Sequence, residues 1–198
     1  MVELIPILDN GHGGLINGIY QTAGKRSPNW DRGVLYEGEF NRAIVNGVTA
    51  KLSNMCKPYY HACPELLDIS LGERVRRSND FYKKSGQKAY LLSIHANAGG
   101  GNGWEIFTSP GQTESDPIAE QFAVDFRNNF PTHPGRYDMR DGDMDKEENF
   151  YLLTQTIGPA ALLEVGFMDN MIDYKKLWDE GFRARVVDSI VETILKLY

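Results

Sequence analysis

Cysteine is nearly absent. Cys56 and Cys63 are the only two in 198 residues, so no disulfide framework holds this chain together, and the small disulfide-stapled domains are excluded. The stretch Cys56-Lys57-Pro58-Tyr59-Tyr60-His61-Ala62-Cys63 reads as two ordinary thiols beside a strand. A disulfide between them and a zinc site of Cys56, His61 and Cys63 stay open, although the spacing fits no standard ligand pattern. Long apolar runs are missing as well. Nothing approaches the ~18 residues of a transmembrane helix, so membrane insertion is not expected. Positive charge is in deficit, with 21 Lys and Arg against 27 Asp and Glu and a formal net charge of −6. That argues against a nucleic-acid partner, which needs a basic face, and against electrostatic docking on an anionic membrane. The small basic clusters (Arg74, Arg76 and Arg77; Lys83 and Lys84) fall in helical patterns and read as solvated helix faces. Residues 1–9 run straight into a strand without a basic n-region or cleavage site, so no signal peptide is expected.

Present instead is an alternation of short apolar strands with helices of one apolar stripe. Strands are expected at Leu4 to Leu8, Pro58 to Ala62, Ala89 to Ile94, Gly103 to Thr108, Phe150 to Thr154 and Ala160 to Val165. Helices are expected from Glu39 to about Met55, with Phe40, Ile44, Val48 and Leu52 in register, and from Ser70 to Tyr82, with Leu71, Val75 and Phe81 facing in. Three more follow: Glu114 to Phe130 (Ile118, Phe122, Phe126), a short one from Asp173 to Trp178, and Phe182 to Tyr198 (Phe182, Val186, Ile190, Ile194). Such alternation predicts an α/β fold, a mostly parallel central sheet with helices on both faces. No repeat, linker or low-complexity tract interrupts it, so residues 1–198 are expected to be a single domain with no separate binding module. Two stretches look irregular, 15–38 and 131–149. The first carries Tyr20, Lys25, Arg26 and Trp30, which suit either a grip on a polar polymer or a surface loop pinned by a tryptophan.

Only four histidines exist, and two of them, His12 and His95, directly follow expected strands among small residues. Histidines at strand ends point into the crevice where open α/β sheets bind ligands. Neutral imidazole and carboxylate are ordinary zinc ligands, and catalytic zinc keeps three of them plus an open position. The carboxylate would be Glu37 or Glu39 at the entrance of the first helix, although both also suit a helix N-terminus on dipole grounds alone. Glu164 is the sharper observation. It interrupts the apolar strand Ala160-Ala161-Leu162-Leu163-Glu164-Val165, where a carboxylate is costly unless paired, hydrogen-bonded or functional. Desolvation raises its pKa, which suits a general base; a salt bridge to a helix arginine such as Arg74 is the plainer alternative.

Two motifs fail on inspection. Gly11-His12-Gly13-Gly14 lacks the spacing and the Lys-Ser/Thr of a phosphate loop, and no helix follows it. Asp141-Gly142-Asp143-Met144-Asp145 starts like a calcium loop, but Lys146 stands at the turn glycine and Leu152 at the closing glutamate, so it reads as a solvated loop. No H-E-x-x-H is present, which excludes a helical zinc-protease site.

Four segments in this order resemble the zinc-dependent N-acetylmuramoyl-L-alanine amidases of the type 3 family, cell-wall enzymes of bacteria and phage endolysins. They are Leu8-Asp9-Asn10-Gly11-His12-Gly13-Gly14, Tyr36-Glu37-Gly38-Glu39-Phe40-Asn41, Ser93-Ile94-His95-Ala96-Asn97-Ala98 and Leu163-Glu164-Val165-Gly166-Phe167-Met168-Asp169-Asn170. Ser70-Leu71-Gly72-Glu73-Arg74-Val75 extends the likeness, which covers essentially the whole chain. Asn10 stands where the family usually has proline, and the 15–36 loop is longer and more aromatic than in plainer members. The resemblance implies one zinc ion on His12, Glu37 and His95, a catalytic Glu164, and peptidoglycan as substrate, cut at the amide between the MurNAc lactyl group and L-alanine of the stem peptide. Asn97, Arg74 and Trp30 are weaker candidates for substrate contacts, and a monomer is the expected state. The missing leader tilts the reading toward an enzyme made in the cytoplasm and released to the wall like an endolysin, over a secreted autolysin. The rival readings are a zinc peptidase cutting within the stem and a catalytically dead wall-binding protein.

Overall fold

Strand period explains the layering. In Ala89–Asn97 (β5), Tyr90, Leu92, Ile94 and Ala96 enter one hydrophobic cluster while Ala89 and Leu91 enter another, because successive side chains leave opposite faces of a strand. The computed structural model describes residues 4–140 and 142–198; Asp141, the first residue of the calcium-like stretch, lies outside them. Ile5–Asn10 (β1), Tyr60–His61 (β4), β5, Glu105–Thr108 (β6), Lys146–Glu147 (β7) and Ala160–Phe167 (β8) form one sheet in the order β4-β1-β5-β8-β6-β7. A hairpin of Leu15–Ile16 (β2) and Ile19–Tyr20 (β3) stands apart. The pairs β1–β4, β1–β5, β5–β8 and β6–β7 are parallel, and β6 is antiparallel to β8. The chain is therefore an α/β domain with a mostly parallel sheet.

The larger cluster joins one sheet face to Glu37–Asn54 (α1), Asp116–Asn129 (α3), Met171–Trp178 (α5) and Glu180–Leu197 (α6), through Phe40, Ile44, Val48, Phe122, Phe126, Val186 and Ile190. The smaller one covers the other face with Leu71–Lys84 (α2) and Tyr151–Gln155 (α4), through Val75, Leu152 and Leu153. His95 and Glu164 leave the sheet on this second, more thinly covered face, in phase with Leu91 and Leu162. Among the described residues no helix is long and apolar enough to cross a membrane.

Several local expectations need correction. Residues 150–154 are not a strand: Tyr151–Gln155 is a helical turn in which Phe150 O accepts from Leu153 N and Thr154 N. Leu152 and Leu153 are adjacent and both buried, which a helical turn against α2 allows and an alternating strand does not. Leu71, expected inward, is 52% exposed, because the first residue of α2 overhangs the crevice. The stretch 15–38 contains the β2–β3 hairpin, and 131–149 contains β7. The 142–145 segment is not simply solvated, since Met144 and Asp145 are buried. Cys56 is exposed, Cys63 is buried and both are free thiols. The His61 Nε2 lies 2.6 Å from Asn10 Oδ1.

Candidate metal centre

The turn after β1 is shaped by what surrounds it. Gly11 N donates to Ile94 O at 3.1 Å, extending the ladder one residue beyond β1. A Cβ on Gly11 would fall 2.0 Å from His95 Cε1, so only glycine leaves room for that imidazole. The next residue, His12, has φ +69°, a left-handed conformation uncommon for a non-glycine residue. The turn is held in this form from below. Arg74 on α2 donates through Nη1 to Asp9 Oδ1 at 2.5 Å and to Asn10 O at 3.0 Å, and through Nη2 to His12 O at 3.3 Å. Ser93 Oγ donates to Asp9 Oδ2 at 2.6 Å. Burial pushes the Asp9 carboxyl up, but the Arg74 guanidinium and the Ser93 hydroxyl outweigh it and hold the group below its ordinary range. Arg74 therefore pairs with Asp9, not with Glu164, and its terminal nitrogens also donate to Asp68 and to the backbone of the His12 turn.

The first turn of α1 abuts the same loop. Asn41 Nδ2 donates to Gly11 O at 2.8 Å, and a Cβ on Gly38 would fall 1.9 Å from Gly13 O. The 15–36 stretch builds the helix entrance: Glu37 N donates to Lys25 O at 3.0 Å and Gly38 N to the Tyr20 hydroxyl at 2.9 Å. Trp30 meets Tyr174 edge-on, with ring centroids 4.7 Å apart. It anchors this stretch on α5, as in the surface-loop reading. Glu39 faces the hairpin, accepting from Leu15 N at 2.7 Å.

These constraints bring three sequence-predicted residues together. Glu37 Oε1 lies 3.1 Å from His12 Nε2 and 2.9 Å from His95 Nδ1. The imidazole rings are perpendicular, 5.0 Å between centroids. One ligand atom from each residue falls within 4.8 Å of the others, and no other group of three His, Cys, Asp or Glu does so among the described residues. Burial pushes the Glu37 carboxyl up, but hydrogen bonds from His12 and His95 prevail and hold it at about 2. A carboxylate oxygen shared by two ring nitrogens is a nitrogen-nitrogen-oxygen donor set of the kind zinc takes, with room for a further ligand.

Glu164 stands beside this cluster, in register with His95 across β5 and β8. Its Oε2 is buried without a hydrogen-bond partner. Burial raises its pKa well above the ordinary carboxylate value, the negative charges of Glu37 and Glu105 add to the rise, and Lys25 opposes it. A crevice of about 260 Å³ opens from His12 and His95 toward Asp68, Leu71 and Arg74. Asn97, two residues past His95, donates through Nδ2 to Glu105 Oε2 at 2.6 Å. Sequence reasoning missed Glu105, although it carries the same signal as Glu164, a carboxylate within an apolar strand.

The sequence matches the N-acetylmuramoyl-L-alanine amidase family over residues 7–196. It is 31% identical over 188 residues to the N-acetylmuramoyl-L-alanine amidase CwlM of Bacillus licheniformis, covering 88% of this chain and 61% of that protein. The chain thus spans about three-fifths of that relative's length. Among solved structures, an N-acetylmuramoyl-L-alanine amidase from Clostridium difficile 630 superposes with a TM-score of 0.77 at 22% identity, covering 99% of this chain and 97% of that one. The catalytic domain of the CD27L endolysin, described as targeting Clostridia difficile, does so with a TM-score of 0.67 at 20% identity, over 98% of this chain and 97% of that one.

Proposed function

Because the chain belongs to the N-acetylmuramoyl-L-alanine amidase family, we propose that it hydrolyses the amide between the MurNAc lactyl group and L-alanine of the peptidoglycan stem, acting on the cell wall. The observation that carries the proposal is the convergence of His12, Glu37 and His95 within 4.8 Å, beside a buried Glu164 with an unpartnered Oε2. In this reading the three residues hold one zinc ion. Zinc there supplies the Lewis acidity that polarises an amide carbonyl and lowers the pKa of water.

The remaining work falls to the chain itself. His12, His95 and Glu37 would hold the ion, and the Asp9–Arg74 pair keeps the His12 turn from relaxing. Glu164 takes the proton of the attacking water at its free oxygen and passes it to the leaving amine. Burial makes the Glu164 carboxylate a stronger proton acceptor than an exposed one.

Digestion of purified peptidoglycan, read by mass spectrometry with and without a chelator, tests the proposal. Free stem peptides with an unblocked alanine amine, lost on chelation and restored by zinc, are the expected result. Shortened stems still attached to sugar would replace the amidase by a peptidase, and binding without release would leave a wall-binding protein.

A further inference from the structure

Glu105 is a second carboxylate buried in the sheet beside Glu164, and the chemistry above gives it no task. It lies on β6 directly across from Glu164, so both side chains leave the same face. One of its oxygens takes two cations: Arg136 donates through Nε at 2.7 Å and Lys146 through Nζ at 2.6 Å. The other oxygen accepts from Asn97. Either cation alone would neutralise Glu105, so the trio holds a surplus of one positive charge on the β6 side of Glu164.

The fold delivers both cations deliberately. Arg136 N donates to Trp104 O, and Trp104 N to Pro134 O, each at 2.9 Å. This approach requires Gly103, whose φ is +101° and whose Cβ would fall 1.9 Å from Pro134 O. Lys146 sits in β7, paired with Phe107. The guanidinium of Arg136 lies 5.3 Å over the ring of Phe167, three residues beyond Glu164 on β8. Its two terminal nitrogens make no hydrogen bond to the protein among the described residues, and its side chain is 46% exposed. The nearby carboxylate of Asp138 is taken by Arg140. A guanidinium held over a ring with its two terminal nitrogens unused is suited to grip a carboxylate through two parallel hydrogen bonds.

We propose that Arg136 and Lys146 form a subsite for a free carboxylate on the substrate's peptide, with Glu105 as the residue that positions them. The inference rests on the amidase reading. In that reading Glu164 delivers its proton to the amine of the peptide fragment, so groups standing beside Glu164 are met by the peptide and not by the sugar.

Two soluble muropeptides that differ at one group provide the test, one stem with its second-residue carboxylate free and one with it amidated. The wild type should cleave the free acid about tenfold better in kcat/KM, mostly through KM, the scale of a charge-assisted hydrogen bond. Arg136→Gln and Lys146→Gln should each remove most of that preference while leaving cleavage of the amidated stem within about twofold and zinc content unchanged. A purely structural role would lower activity on both stems alike, and that outcome, or equal cleavage of both by the wild type, overturns the subsite while the amidase reading stands. Release of the lactyl–alanine amide from neither stem sinks the amidase reading and the subsite with it.

Discussion

His95 and Glu164 occupy matching positions on adjacent parallel strands, β5 and β8. The strand spacing, about 4.8 Å, thus sets the separation between a residue proposed to hold the metal and the residue proposed to move the proton. Both project from the same sheet face, so the pairing of β5 with β8 brings the two side chains together.

Glu164→Gln keeps the shape of the side chain and removes its proton traffic. We expect kcat to fall by at least ~10²-fold, with KM and bound zinc unchanged, as measured by steady-state cleavage of a soluble muropeptide and by metal analysis. A variant that turns over at near wild-type rate would remove Glu164 from the mechanism.

His95→Ala removes one of the three proposed zinc ligands. The variant should purify without stoichiometric zinc and without activity. In the wild type, zinc at about 100 times its dissociation constant should raise stability by about 2.7 kcal/mol over the chelated protein, read as a rise in the thermal midpoint. Equal midpoints with and without chelator would argue against a metal on this cluster.

Asp9→Ala breaks the buried Asp9–Arg74 pair, both side chains being at most 3% exposed, and leaves the guanidinium only the longer contact to Asp68 Oδ1 at 3.4 Å. Such a loss costs about 3–5 kcal/mol, to be measured by urea unfolding. Zinc affinity should weaken as well, because the His12 carbonyl and turn hang on the same guanidinium.

Asp145 provides a pH signature. Burial raises its carboxyl to about 7, with help from the charges of Asp143 and Asp116 and against the Thr108 hydroxyl, which donates to Oδ2 at 2.5 Å. Its folded pKa lies above the unfolded value of about 3.8, so the native state binds the extra proton and this group's contribution falls as pH rises from about 4 to 7. Asp145→Asn should therefore add up to about 4 kcal/mol at pH 8 and almost nothing at pH 4. Parallel stability–pH curves for the two proteins would disprove the assignment.

His12, His95 and Glu164 are readable because each carries a local contradiction, histidines where strands stop and a carboxylate in an apolar run, whereas Glu37 looks like any acid at a helix entrance and is told from Glu39 only by the family resemblance. The helices were readable from their stripes, with ends off by a few residues. Arg136 and Lys146 were not, because a polar loop has no periodicity and only tertiary pairing with Trp104 and Phe107 shows where its cations go. Tyr151–Gln155 misled because Phe, Tyr and Thr favour strands, while the buried neighbours Leu152 and Leu153 are seen only against α2. Arg74 looked like a surface charge beside Arg76 and Arg77, and helical phase alone did not reveal that it points under the His12 turn.

The strand order has a kinetic consequence. Ile5 pairs with Ala89 and Leu91 with Ala160, so the residues of the site come from stretches of chain that meet only when distant loops have closed. Contacts of such long sequence separation form late and slowly. An ion in solution then finds no complete set of ligands before the folding barrier is crossed. Metal should leave the refolding rate unchanged and slow unfolding, so that it acts as a lock fitted after assembly and not as a nucleus for it.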